Sequence, residues 1–325
     1  MKPLDVDVIC AGKEGLVFGS SHVKNLSPKY FNVCNVGHLE TSWDVNQRRY
    51  NFDDLCKEKT EKGIIFLDPS QHWVEYTSGF MEVVSNYKYK VMIVEEPIRN
   101  RLTTDYLREQ PLKSYNYVMD LLEPDVVGHC CLTECRMSPT KSFYWTCLVD
   151  NVVKEEEEEE EEGEDIKKLR VISAGKELRF GREWKDIKYL CWESHLPYEM
   201  VPHGTYSYAD LSKRISQSAF QFQPRCGYHF HPLRSLQSWF VGTIPIIFVE
   251  NLECEEFIEH QEKLPLRHLE NCIILNKETM PESIDACKSG DHVCRMLDNV
   301  RKMDLTNYTT DKVCENMYKS ILEID

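Results

Sequence analysis

The stretch SAFQFQPRCGYHFHPLRSLQSWFVGTIPIIFVEN, residues 218–251, concentrates residues that could do chemistry. Arg225, Gly227, His229, His231 and Arg234 fall within ten residues of each other. Guanidinium and imidazole groups donate hydrogen bonds, and a glycine lets the backbone approach a ligand closely. Such a set suits a negatively charged ligand, with a nucleotide diphosphate the first to consider. His229 and His231 also have a spacing that a metal could use, but no third ligand lies nearby in sequence.

The pattern around these residues says what must position them. Residues 219–222 read as a strand and 233–241 as a helix, with Leu233, Leu236, Trp239 and Phe240 at helical spacing. Gly242 is placed to end that helix, and the apolar run 244–249 is a second strand. The donors therefore lie at the carboxyl end of a strand, where open α/β sheets bind ligands. Arg234 would open the helix, adding a bidentate cation to its positive end. Otherwise it is a surface arginine whose stem covers apolar area.

The same alternation extends along the chain. In the first half, 6–10, 15–19, Gly63–Leu67, Tyr89–Val94 and 126–127 read as strands, with helical patterns over 73–87 and 104–122. Buried strands alternating with helices imply a parallel sheet. A run of eight glutamates at 155–162 then interrupts the pattern, and mutual repulsion makes 154–166 a solvated linker or loop. Beyond it come a strand over 168–173, a helix over 183–188, a short strand over 189–192, an edge strand over 199–202 and a helix over 207–218. Ser207 and Asp210 form a variant capping box for that last helix. A strand at 272–275 and helices over 281–325 complete the chain. The expected fold is α/β, with two Rossmann-like domains, 1–153 and 167–325, their parallel sheets facing a cleft and helices at the C-terminus.

Composition removes several classes of function. The net charge is −15, eight charges of it from the glutamate run, which argues against a general nucleic-acid binder. The N-terminus lacks the pattern of a signal peptide, and no segment approaches the roughly 18 apolar residues of a membrane span. A cytoplasmic protein with reduced thiols is expected. The fourteen cysteines include no CxxC pair, so no zinc site is expected. Neither GxGxxG nor GxxxxGK[ST] occurs, which disfavours a nicotinamide enzyme and an ATPase.

The order Ser218-x-Phe220-x-Phe222-x-Pro224, a glycine loop, Arg234 heading a helix, then Gly242-Thr243-Ile244-Pro245-Ile246-Ile247, resembles the C-terminal region of exostosin-like glycosyltransferases. The resemblance covers about 35 residues. It implies a GT-B fold whose second domain binds a nucleoside diphosphate sugar (UDP or GDP) and whose first domain binds the acceptor, a glycan or glycoprotein. It also implies inversion at the anomeric carbon with no metal or other cofactor. On this footing Arg225, Gly227, His229 and Arg234 hold the donor. Lys176, Arg179 and Arg182, after the first strand of the second domain, add positive charge. Gln237 stands where the family often has a ribose-binding carboxylate, and Glu250 is its alternative. Golgi members of that family carry a membrane anchor, so a form without one would suit a microbe or a large virus.

An inverting transfer needs a base to deprotonate the acceptor hydroxyl. Asp68, after the strand Gly63–Leu67, is the first candidate, and it also suits a turn or helix cap. His38 and Glu40 come second, with Glu95, Glu96 and His129 also following apparent strands. Two other functions fit the same features: a different GT-B-type nucleotide-sugar enzyme such as an epimerase, or a non-catalytic interaction protein with a decayed transferase fold.

Overall fold

The computed structural model describes residues 2–11, 26–40, 49–51, 54–67, 80–94, 116, 118–129, 135–136, 138–145, 168–175, 182–202, 206, 208–223, 232–253 and 255–324. The chain divides into two α/β units. The first comprises 1–148 and 307–325, and the second 149–306.

The first unit is built on a seven-stranded sheet. Its strands are β1 (Leu4–Ala11), β2 (Phe31–Glu40), β3 (Arg49–Asn51), β4 (Gly63–Leu67), β5 (Tyr89–Val94), β6 (Val126–His129) and β7 (Lys141–Tyr144), and the short helix α1 (Phe80–Val84) precedes β5. The order is β3-β2-β1-β4-β5-β6-β7, with every pairing parallel except β2 with β3. The apolar runs at β4 and β5 are buried on both faces, as central parallel strands must be. Gly63 lies so close beneath the Tyr89 ring that a Cβ there would sit 1.9 Å from it.

The second unit carries β8 (Lys168–Gly175), β9 (Tyr198–Pro202), β10 (Ser218–Gln223), β11 (Ile244–Phe248) and β12 (Ile273–Leu275). Its helices are α2 (Arg182–Ser194), α3 (Tyr208–Ser216), α4 (Pro232–Phe240), α5 (Glu255–Lys263), α6 (Met280–Lys288) and α7 (Gly290–Arg301). The sheet is fully parallel, in the order β12-β11-β10-β8-β9. Right-handed crossovers then put the helix after β8 on one face and the helix after β10 on the other. Side chains show this directly. Phe222 of β10 meets the Trp184 ring of α2 edge-on at 5.8 Å, while its neighbours Gln221 and Gln223 bond to serines of α4 on the opposite face. Ile172, Val201, Ile215 and Val241 form a core cluster, with Leu211 of α3 packed against it.

Three sequence expectations change. The run 189–192 is not a strand. It continues α2, where Leu190 and Cys191 face the core while Tyr189 and Trp192 are exposed. Strands β2 and β7 were not anticipated, because neither has a continuous apolar run. The last helix, α8 (Thr310–Leu322), belongs to the first unit instead of closing a continuous domain 167–325. It packs on β6 and β7, Tyr318 donates to the Lys2 carbonyl at 3.0 Å, and Asp311 accepts from Ser27 at 2.6 Å. The expected strand at 15–19 lies outside the described residues.

A histidine ties β12 to α6. Its Nδ1 accepts from the Ile274 N–H at 3.0 Å, and Nε2 lies 3.0 Å from Glu282. A ring nitrogen that accepts a backbone N–H cannot carry a proton, so His268 is neutral and Nε2–H donates to Glu282. Burial lowers its pKa from 6.5, against the opposing pull of Glu282. Between the folded and unfolded pKa values the unfolded chain then binds more protons, so stability rises with pH. The expected outcome is a full contribution above about pH 6.5 that fades as the pH falls below it. Thermal unfolding between pH 5 and 8 would check this (the range spans about the usual histidine pKa), and His268→Gln should remove that part of the slope.

Candidate functional site

In a doubly wound sheet, ligands bind where the strand order reverses, because neighbouring loops there leave towards opposite faces and open a crevice. In the second unit the reversal falls between β8 and β10. Phe222 pairs with Ser173, so the carboxyl ends of the two strands lie side by side.

Two polar rungs fix α4 to this edge. Ser235 donates to Gln223 Oε1 at 3.1 Å, and one turn further on Ser238 donates to Gln221 Oε1. Residues two apart on the strand thereby match residues three apart on the helix, which aligns α4 along β10. The first turn of α4 must consequently lie over the carboxyl end of β10. Gly242, at φ 66°, ends the helix in the left-handed conformation that glycine allows, and β11 follows.

Arg234 stands in that first turn and is half-buried. The helix's own positive end and a guanidinium therefore occupy one place. Two strand residues at the same edge have buried polar atoms with no hydrogen-bond partner. One is Ser173 Oγ of β8, and the other is Gln223 Nε2 of β10. Gln223 is 6% exposed and Ser173 0%. Neither was expected from the sequence, where they read as ordinary strand positions.

The remaining expected residues divide clearly. Gln237 is 2% exposed and donates to Ser212 of α3 at 2.9 Å. This bond fastens two helices together. Its amide nitrogen is thereby engaged by α3. Glu250 is exposed, two residues beyond β11. Arg182 is the first residue of α2. Lys176, Arg179, Arg225, Gly227, His229 and His231 lie outside the described residues.

In the first unit the order reverses between β1 and β4. Asp68 directly follows β4 in sequence but lies outside the described residues, as do Glu95 and Glu96. His38 and Glu40 fall in the last three residues of β2, paired with Asn51 and Arg49 of the antiparallel β3. His129 ends β6 and is buried, and its carbonyl accepts from Trp145 N–H at 2.7 Å.

Among the described residues, no three His, Cys, Asp or Glu side chains gather as a metal site would require. Cys191 and Cys272 are buried, and burial pushes both thiols up to about 12. Among the described residues, no helix is long and apolar enough to cross a membrane.

No protein-family model matches the chain, and no curated protein does. Solved structures do resemble it. An alpha-glucosyltransferase in complex with UDP shares 10% identity at a TM-score of 0.59, over 98% of this chain and 100% of that one. An alpha-glucosyltransferase in complex with UDP-glucose and DNA containing an abasic site shares 11% at 0.58, over 99% and 100%. The GtfA/B complex shares 11% at 0.51, over 88% of this chain and 63% of that one. At such identities the likeness establishes the fold: an α/β chain of GT-B class with two parallel-sheet units. These neighbours are GT-B glycosyltransferases, and none is exostosin-like by its description.

Proposed function

We propose that the protein is a glycosyltransferase that takes a sugar from a nucleoside diphosphate donor, a UDP-sugar before a GDP-sugar, and passes it to a hydroxyl of a glycan. The supporting observation is the carboxyl edge of the β8–β10 pair. The first turn of α4, with Arg234 in it, is pinned there in a GT-B-class chain. A leaving diphosphate carries negative charge, and a helix N-terminus with a guanidinium stabilises it without a metal. That several structural neighbours were solved with UDP or UDP-glucose fits this donor class.

The acceptor is proposed to be a glycan and not DNA, although some neighbours were solved with DNA. DNA binding is driven by neutralising phosphates with Lys and Arg, and this chain carries −15. Inversion at the anomeric carbon rests on the exostosin-like resemblance alone. On that reading Asp68 is the first candidate for the base, with His38 and Glu40 next.

Thermal unfolding with a panel of UDP- and GDP-sugars tests the donor. A ligand at a hundredfold its dissociation constant should add about 2.7 kcal/mol of stability. Incubating the stabilising sugar nucleotide with glycan acceptors should then yield free UDP or GDP and an extended glycan, whose anomeric configuration NMR reads. An isomerised sugar nucleotide would mean an epimerase instead. If no sugar nucleotide stabilises the protein, the transferase reading fails.

A further inference from the structure

Gln223 has half of its amide committed and half open. Ser235 donates to Oε1 at 3.1 Å, which leaves Nε2 with two N–H donors and no acceptor. The side chain is 6% exposed, so water does not supply the missing partner. Leaving a buried donor unmet costs about 1–3 kcal/mol. Native structures tolerate this where a function requires it. The position is specific. Gln223 is the last residue of β10 at the point of strand reversal, and its one bond runs to the first turn of α4, beside Arg234. Gln221, two residues earlier, shows the structural form of the same contact. Its Oε1 accepts from Ser238 deeper along the helix.

We infer that Gln223 is a donor-binding residue: its amide N–H groups bond an oxygen of the sugar donor's diphosphate, and Ser235 acts as a positioning residue that holds the amide with nitrogen towards the ligand. The inference rests on the proposed nucleotide-sugar site. A neutral amide supplies hydrogen bonds in a fixed direction, while Arg234 and the helix end supply the charge. By holding Oε1, the Ser235 hydroxyl makes the flipped amide unfavourable, since an oxygen facing a phosphate would repel it.

Calorimetry of the whole protein with UDP and UDP-glucose tests this, with GDP as a parallel arm. Gln223→Glu keeps the shape and the Ser235 contact but turns an acceptor towards the diphosphate. Its affinity for UDP-glucose should fall by about tenfold or more at about pH 8. Relative to the parent protein, the loss should shrink towards about pH 5, where a protonated carboxyl regains one donor. Gln223→Met should lose affinity without that pH dependence, and Ser235→Ala should lose less. Thermal unfolding of each variant shows whether it folds; if Gln223→Glu does not, Gln223→Met and Ser235→Ala decide. Unchanged affinity in folded variants overturns the role of Gln223 and leaves the site intact. A parent protein that binds none of the three nucleotides overturns both.

Discussion

Arg234→Ala lowers affinity for the nucleotide of the donor by about 30- to 1000-fold, which corresponds to 2–4 kcal/mol for a charge left without its partner. The size follows from placement. A guanidinium in the first turn of α4 adds to a helix end that already favours anions, and two serine–glutamine bonds prevent that turn from moving off the strand edge. Arg234→Lys should recover only part of the loss, because an ammonium cannot bond two phosphate oxygens in the plane of a guanidinium. Calorimetry with UDP reads both variants. Raising the salt should weaken the parent more than Arg234→Ala, since screening acts on the charge that the substitution removes. Affinity within about threefold of the parent, half a decade or 0.7 kcal/mol, would move the diphosphate away from α4.

The crevice was legible in the sequence because its signals are local. Phe220 and Phe222 mark β10, Leu236 and Trp239 mark the buried face of α4, and Gly242 stops the helix. Arg234 follows from that frame by counting. The inward polar residues were not legible, because Gln223 and Gln237 look alike in sequence and differ only in their partners. Gln223 meets the serine of the first turn and keeps its nitrogen open. Gln237 meets Ser212 on another helix. A contact between α3 and α4 depends on how two crossovers pack on one face, and no short window contains it. The same reason hid the position of α8. Its amphipathic pattern says that one face is covered, but not that β6 and β7, far away in sequence, cover it.

Asp7→Ala should be the most destabilising of the substitutions considered, at about 3 kcal/mol or more, because it removes a buried carboxylate that accepts several bonds and leaves buried donors unmet. Asp7 lies within β1 and is 0% exposed. Its Oδ2 accepts from Tyr87 Oη at 2.7 Å, and its Oδ1 from Asn35 Nδ2 at 3.0 Å, with Lys62 Nζ at 3.5 Å. Tyr87 Oη in turn accepts from the Cys56 N–H at 2.9 Å, so one chain of bonds joins the loop before β4, the segment before β5 and the middle of β1. Burial first, and then the bond to Asp7, raise the Tyr87 pKa and keep it a donor at any ordinary pH. On Lys62, burial pulls the pKa down, and Asp7 together with Cys34 and Cys56 more than offsets it, so the ammonium stays charged beside the carboxylate. Alanine would strand these donors and open a cavity. Asp7→Asn should cost less, because an amide keeps the shape and one acceptor but turns a donor towards groups that are themselves mostly donors. Tyr87→Phe should cost about 1–3 kcal/mol, as the bond to Asp7 and the bond from the Cys56 N–H are both lost while the carboxylate keeps its others. Denaturant unfolding measures all three. Lys62 and Tyr87 precede β4 and β5, so the cluster lies towards the amino end of the sheet, away from its carboxyl edge. Folded variants should therefore bind the donor with unchanged affinity. Loss of binding at full stability would mean that Asp7 contributes to donor binding and not only to the fold.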